Sequence, residues 1–495
     1  MQRFIRVLKS IANVFNRVLR RSLGLATPRR LIAGVSILSF TLLIWIFGAA
    51  SIYFNLASGS YLRSAFTGFE AWIQRGSLTS ITSRVSRTRL GITSDDPAKT
   101  FDGFTLYTTT QGTTASLIDM RGNRVHQWSR PFSQVWPNPS HVKHKVSDDA
   151  IHWFRCRPFP NGDLLAVYQA DTDTPHGYGL AKLDKNSNLL WASSDNFHHD
   201  LDIGDDGKIY TLTHQISNEQ LKGLYSIVPP YLADYVVVLS PEGKELEKIS
   251  ILEAFQNSPF SIMLAAIKAG GLQIQDDPQT ADMPMPGTTP PAANATVSPG
   301  KRAEITMLHM GREAGDVLHA NGVKVLNRAM ATKFPLFKEG QVLISLCYLN
   351  TIAVLDVPTR SIVWAAKGVW MMQHDAEFLE NGHLLLFDNS GEPHNSRVIE
   401  FDPITQSYPW SYSNENSTMF TSAHRGMKQH LPNGNVLIVD ADGGRLFEVN
   451  SAKSLVWEFG CRAESTISEA HPIITGAMRY PRSELKFLEG IPFRP

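Results

Sequence analysis

Five short runs place imidazole, amide and guanidinium groups a few residues before a glycine-containing turn. HHDLDIGDDG carries His198 and His199, HANGVKVL carries His319 and Asn321, and QHDAEFLENG carries Gln373 and His374. HWFRCRPFPNG adds His152 and Arg155, and HRGMKQHLPNG adds His424 and Arg425. His199 and His374 each stand eight residues before the glycine of their turn. Equal spacing predicts equivalent positions in a repeated unit, so groups remote in the chain are expected to meet. Two chemistries suit such a cluster. Several neutral imidazoles can hold a metal such as zinc. Alternatively, one imidazole attacks as a nucleophile while the others and an Asn hold an oxyanion. A lone His is usually a satisfied polar core residue; it is the coincidence across repeats that points to a site. The sequence has no HExxH, no Cys/His cluster, no Walker loop and no GxGxxG after a strand, so no nucleotide cofactor is indicated.

The elements that must position these groups form a repeat. An apolar, β-rich run ends in Asp or a substitute, and Trp follows seven to nine residues later. Copies end at Trp128, Trp191, Trp364, Trp410 and Trp457, with a degenerate one near 235–249. Most are preceded by a second pattern, apolar residues around Asn-Gly or Asp-Gly, as in LENGHLLLFDN and LPNGNVLIVDA. Each pattern reads as a β-hairpin, so one repeat is four antiparallel strands. The last two Trp intervals, 46 and 47 residues, match a propeller blade. The prediction is an all-β, six-bladed β-propeller with blades over 102–129, 154–193, 198–253, 317–368, 373–412 and 425–459. The tail after 460 is expected to give a closing strand to the first blade. The strand before the Asn-Gly turn is the innermost one, so the polar groups above line the central channel. The repeated Trp residues are expected to pack between blades.

The propeller is expected over 102–495, with a helical and low-complexity insertion at 250–316. Within that insertion SILEAFQNSPFSIMLAAIKAGG reads as a helix or helix pair, and the stretch that follows is rich in Pro, Thr, Ala and Gly. Residues 31–54 carry no charge, and a helix of that length covers ~36 Å, enough to cross a bilayer. Eight basic and no acidic residues precede it in 1–30. The positive-inside rule then predicts a single-pass inner-membrane anchor, with a cytoplasmic basic tail at 1–30 and the propeller on the periplasmic side. Residues 55–101 are assigned as a linker.

Net charge is +1, and removing the eight N-terminal cations leaves about −7 for the remainder. A nucleic-acid partner is not expected from such a balance. The three cysteines, Cys156, Cys347 and Cys461, are too few and too scattered for a disulfide framework.

In order along the chain, GYGLAKLD, HHDLDIGDDGKIYTLT, HANGV, QHDAEFLENGHLLLFDN, NSRVIEFD and LPNGNVLI resemble the arylsulfotransferase family over roughly 150–460. The resemblance implies a six-bladed propeller that moves a sulfuryl group from an aryl sulfate to a phenol. It implies ping-pong transfer through a sulfohistidine, without a nucleotide donor, other cofactor or metal. On that resemblance His374 is the nucleophile, and His199, His319 and Asn321 complete the catalytic set. His198, Arg397, His424 and Arg425 are the candidate substrate-binding residues.

Two positions depart from the family pattern. Cys347, in LISLCYLN, stands where the family places an Arg, and Glu377 stands where it often places another. Losing one fixed donor to a developing anion costs about 2.7–4 kcal/mol. Arg155, Arg397 and Arg425 are the candidates to compensate. The competing reading is a catalytically impaired propeller that binds a ligand or a protein.

Overall fold

The structure, a computed structural model, describes residues 90–142, 147–170, 177–225, 227, 229–267, 315–392, 395–413, 420–422, 425–461 and 472–489. It contains six antiparallel sheets, each with four strands in simple up-and-down order and one with a fifth strand added. The inner strands are Ile474–Tyr480 in blade 1, Ile151–Pro158 in blade 2 and Phe197–Ile203 in blade 3. Ala320–Val325, His374–Phe378 and Met427–His430 serve blades 4, 5 and 6.

The turn after each inner strand explains its sequence. In blade 5, Phe378 pairs with Leu384, the Leu379 amide donates to the His383 carbonyl, and the Gly382 amide donates back to Leu379. Gly382 has φ +87°. This is a three-residue hairpin loop whose last position is left-handed, which glycine adopts without a Cβ penalty. Gly207 does the same in blade 3, at φ +76°.

Sheets have two faces, and an interior blade must bury both. Six apolar clusters result, one at each junction between neighbouring blades. The junction of blades 6 and 1 is among them, so the ring is closed. Trp128 of blade 1 is fully buried and donates to the Gly162 carbonyl of blade 2. Trp457 of blade 6 likewise donates to the Met120 carbonyl of blade 1. Trp128 and Trp457 are therefore pins between blades.

Closure uses both ends of the propeller. Ile474–Tyr480 pairs with Phe104–Thr109 as the innermost strand of blade 1, as the tail was expected to do. The linker assignment needs correction at its C-terminal end. Gly91–Asp95 pairs with Leu455–Gly460 and becomes the fifth, outermost strand of blade 6. A five-residue strand without the Trp or Asn-Gly signature carries no repeat signal, but it covers a free sheet edge.

The start of the insertion forms one short helix, Ile251–Gln256, capped by Ser250 accepting from the Glu253 amide. Its Ile251, Leu252, Ala254 and Phe255 are buried at the junction of blades 3 and 4. A 3-10 turn follows at Ser261–Ala266. Residues 268–314 lie outside the described residues, as do the anchor expected at 31–54 and the basic tail. Among the described residues no helix is long and apolar enough to cross a membrane.

Candidate functional site

The inner strands of blades 2 to 5 are each interrupted by a bulge at the same level. The interrupted pairing falls at Phe154 in blade 2, at His199 and Asp200 in blade 3, at Asn321 in blade 4, and at Asp375 and Ala376 in blade 5. Bulges re-aim side chains out of the strict alternation of a strand. His199, His319 and Asp375 sit at φ +56°, +51° and +50°, a region non-glycine residues seldom occupy. Bulge width differs between blades. Phe387, five residues after Gly382, pairs with His374; Leu212, five after Gly207, pairs with His198. By ladder position His198, not His199, is therefore the counterpart of His374, despite the equal count from the turn.

His374 is buried, and its Nδ1 lies 2.8 Å from Asn389 Oδ1 and 3.0 Å from the Met372 carbonyl. The Asn389 amide cannot be turned round, because its Nδ2 donates to the carbonyls of Ser422 (2.6 Å) and Arg425 (2.7 Å). Nδ1 of His374 thus faces two acceptors and must carry the proton. Nε2 is then a bare lone pair, and it has no hydrogen-bond partner among the described residues. Burial, and then the nearby charge of His319, push the pKa of His374 down to about 4. At neutral pH the imidazole is uncharged, with the Nε2 lone pair available.

His319 is its electrostatic opposite. Its Nδ1 lies 2.6 Å from Asp316 Oδ2, and its backbone amide donates to the other oxygen of the same carboxylate. Burial alone would lower its pKa, but the charge and hydrogen bond of Asp316, with the charge of Asp234, together outweigh burial and raise it. Tyr348 stacks on the His319 ring at 4.7 Å. The His199 ring centre is 4.9 Å from that of His319 and 4.9 Å from that of Phe154. Arg425 lies over the Phe154 ring, 5.9 Å from its centroid. Blades 2 to 6 thus bring His199, His319, His374 and Arg425 into one neighbourhood.

Beneath them lies a buried network of alternating charge. Arg155 Nε is 2.9 Å from Asp200, and its Nη2 is 3.3 Å from Asp375. Lys324 Nζ is 2.5 Å from Asp200 and 3.8 Å from Asp375. Lys428 Nζ is 3.2 Å from Asp375 and 3.1 Å from Glu377. Burial raises the pKa of Asp375, but Lys428, Arg155 and Lys324 together outweigh it and hold the carboxyl well below its usual range. The same carboxylates tie blades together: Asp200 accepts from the Val323 amide and Asp375 from the Lys428 amide.

The remaining sequence candidates have other partners. Arg397 lies in the third strand of blade 5, with Nε 2.6 Å from Asp388 and Nη2 3.0 Å from the Val369 carbonyl. Arg155 is held by the two aspartates just described. Asn321 uses Nδ2 to grip the Gln373 carbonyl, so it holds the strand that bears His374. His424 lies outside the described residues. Cys347 is buried, with Sγ 3.8 Å from Sδ of Met372, the residue whose carbonyl accepts from His374 Nδ1. The departure from the family pattern therefore falls beside His374. Sequence reading overlooked Asn389, Asp316, Lys324, Lys428, His214 and Asp234. One signal for two of them was present: His214 and Asn389 each stand seven residues after their turn glycine. His198, His214 and Asp234 are the described residues whose ligand atoms cluster closely enough to hold a metal.

Residues 157–462 match the arylsulfotransferase (ASST) family. No curated protein matches the chain. Solved structures similar to it include a protein of unknown function from Bacteroides caccae, at 10% identity and TM-score 0.44, covering 77% of this chain and 99% of that one. Another is a streptogramin B lyase, at 9% identity and TM-score 0.35, covering 76% and 83%. Both are too distant for their activities to bear on this chain.

Proposed function

The chain belongs to the arylsulfotransferase family, and on that premise we propose that it carries a sulfuryl group from an aryl sulfate to a phenol on His374. The observation behind this reading is the bare, buried Nε2 of His374, whose Nδ1 is locked as a donor by Asn389. In the first half-reaction Nε2 attacks sulfur. The N–S bond forms, the S–O bond to the aryl group breaks, and the phenolate takes the proton on Nε2 of His319. Asp316 favours the protonated His319 that this step requires. In the second half-reaction His319 takes the proton of an acceptor phenol, whose oxygen attacks sulfur and releases His374. Charge spreads over the peripheral sulfuryl oxygens during both displacements. His199 and Arg425 supply donors for that charge. No cofactor enters either step.

The test is incubation with a nitrophenyl sulfate and a phenol acceptor. Nitrophenol release is expected to fall about ten-thousand-fold or more in His374→Asn, and the wild type is expected to yield a trapped sulfated His374. Release unchanged in that variant overturns the assignment. Cys347 beside the nucleophile favours a second reading, a pocket that binds aryl sulfates without turning them over. Saturable binding with no sulfated histidine would select it. The proposal extends to location: the uncharged run at 31–54 behind eight cations supports a single-pass inner-membrane anchor with a periplasmic propeller. Protease protection of the N-terminal tail in intact spheroplasts, with digestion of the propeller, is the expected result.

A further inference from the structure

We propose that blade 3 holds a divalent first-row transition ion, zinc by its donor set, between His198, His214 and Asp234. The three residues come from the inner, second and third strands of one sheet (Phe197–Ile203, Ile209–Ser217 and Tyr231–Leu239). His214 and Asp234 are direct ladder partners, and His198 pairs with Leu212, two residues before His214. Strand backbones therefore fix all three side chains, which is the rigidity a metal site needs. Each is about 1% exposed.

The distances favour a shared ion over direct bonding. Asp234 Oδ1 is 3.6 Å from His198 Nε2 and 4.0 Å from His214 Nδ1, and the three ligand atoms lie within 4.8 Å of one another. Those separations exceed a hydrogen bond. Four-coordinate zinc with bonds of ~2.0–2.1 Å holds its donors roughly 3.3 Å apart, so the two Asp234 pairs need only slight closure and the widest pair must close by up to about 1.5 Å, within reach of side-chain rotation. Two imidazoles and one carboxylate suit zinc or ferrous iron and leave a coordination position open. The other oxygen of Asp234 accepts from the Ala320 amide at 2.9 Å, which orients Oδ1 toward the two rings.

An outer partner is also in place. His198 Nδ1 lies 2.7 Å from His199 Nδ1. An ion on Nε2 of His198 leaves that ring's proton on Nδ1, where it is donated to His199. A neutral His199 must then carry its own proton on Nε2. The ion would thus set the tautomer of an imidazole that stands 4.9 Å from His319. This inference does not depend on sulfuryl transfer and is tested without it.

The experiment is metal analysis of the full chain, purified without a polyhistidine tag and reconstituted separately with zinc and with ferrous iron. About one ion per chain is expected in the wild type with one of the two metals. His214→Gln and Asp234→Asn, checked for fold by circular dichroism, are expected to retain less than about a tenth of that. His199→Ala keeps all three ligands and is expected to weaken the ion by about 10–100-fold. Chelation of the wild type is expected to lower Tm, and the metal to restore it. A folded wild type that takes up less than about a tenth of an equivalent of either metal overturns the proposal, as does equal retention in His214→Gln.

Discussion

Blade 5 surrounds its inner histidine with an amide, whereas blade 3 surrounds its counterpart with a second imidazole and a carboxylate. His374 and His198 occupy the same ladder position, and Asn389 and His214 stand the same distance beyond their turns. On the third strand, Asp234 of blade 3 is matched by the region of Ser396, whose Oγ donates to the Asn389 carbonyl. A neutral amide can only choose which nitrogen of His374 bears the proton. An imidazole with a carboxylate can hold a cation. On the proposals made above, one scaffold would make a free nucleophile in one blade and a ligand set in another, by changing two side chains beside a fixed ring.

The largest expected effect comes from breaking the amide in blade 5. Asn389→Ala removes the side-chain acceptor of Nδ1 and leaves the Ser422 and Arg425 carbonyls without their donor. With only the Met372 carbonyl left to fix its tautomer, His374 is expected to work about a hundred-fold or more slowly in kcat. Asn389→Asp keeps the acceptor and adds a negative charge, so the acid limb of the pH profile moves above its position near pH 4, while the Ser422 and Arg425 carbonyls still lack their donor and kcat recovers only in part. A merely structural Asn389 would give no such displacement. Rapid-quench measurement of His374 sulfation across pH distinguishes the two outcomes.

Next in size are the paired aspartates beneath the site. Asp200→Asn and Asp375→Asn each leave buried cations short of a counter-charge, which costs about 3–5 kcal/mol in urea unfolding. They part company in the pH profile. The Asp375 charge raises the pKa of His374, so Asp375→Asn moves the acid limb further down. Equal acid limbs in wild type and Asp375→Asn would show that the charged floor supports the fold without tuning the nucleophile.

Cys347→Arg sharpens the comparison at the junction of blades 4 and 5. Restoring a cation beside Met372 is expected to raise kcat/KM for a nitrophenyl sulfate by about ten-fold or more, at some cost in Tm from overpacking. No gain would favour the ligand-binding reading. The smallest effect requires no mutation. Wild-type kcat/KM is expected to fall below about pH 4, as His374 becomes protonated. It falls again on the alkaline side, above the ordinary imidazole range, as His319 loses the proton that Asp316 favours. A profile governed by one ordinary imidazole pKa would remove the division of labour between the two rings.

Much of the fold is legible because its signals repeat. The Asn-Gly or Asp-Gly turns recur in four blades and the Trp positions in five, and they have local causes, a left-handed glycine or an indole packed toward the next blade. The strand at Gly91–Asp95 has neither signal, and its pairing with blade 6 is settled by an open edge some 360 residues away. Within the site, His199, His319 and His374 can be found by their distance from a turn. The exchange of His198 for His199 at the matching ladder position cannot, because bulge width is decided by packing in the channel. Asn389 shows only its spacing from the turn, and its role is hidden for a similar reason. Its orientation depends on carbonyls of Ser422 and Arg425, which reach it only once blade 6 has docked. Lys324 and Lys428 alternate with apolar residues and read as ordinary strand cations until Asp200 and Asp375 approach from neighbouring blades.

The way blade 1 borrows its inner strand from Ile474–Tyr480 bears on biosynthesis. A chain emerging from the ribosome contains the other strands of the ring before it can be fastened, since the strand that seals the circle follows them in the sequence. The newly made polypeptide remains an open arc until then, and a truncation ending at residue 473 is expected to persist as one, exposing the apolar flanks of blades 1 and 6 to proteases.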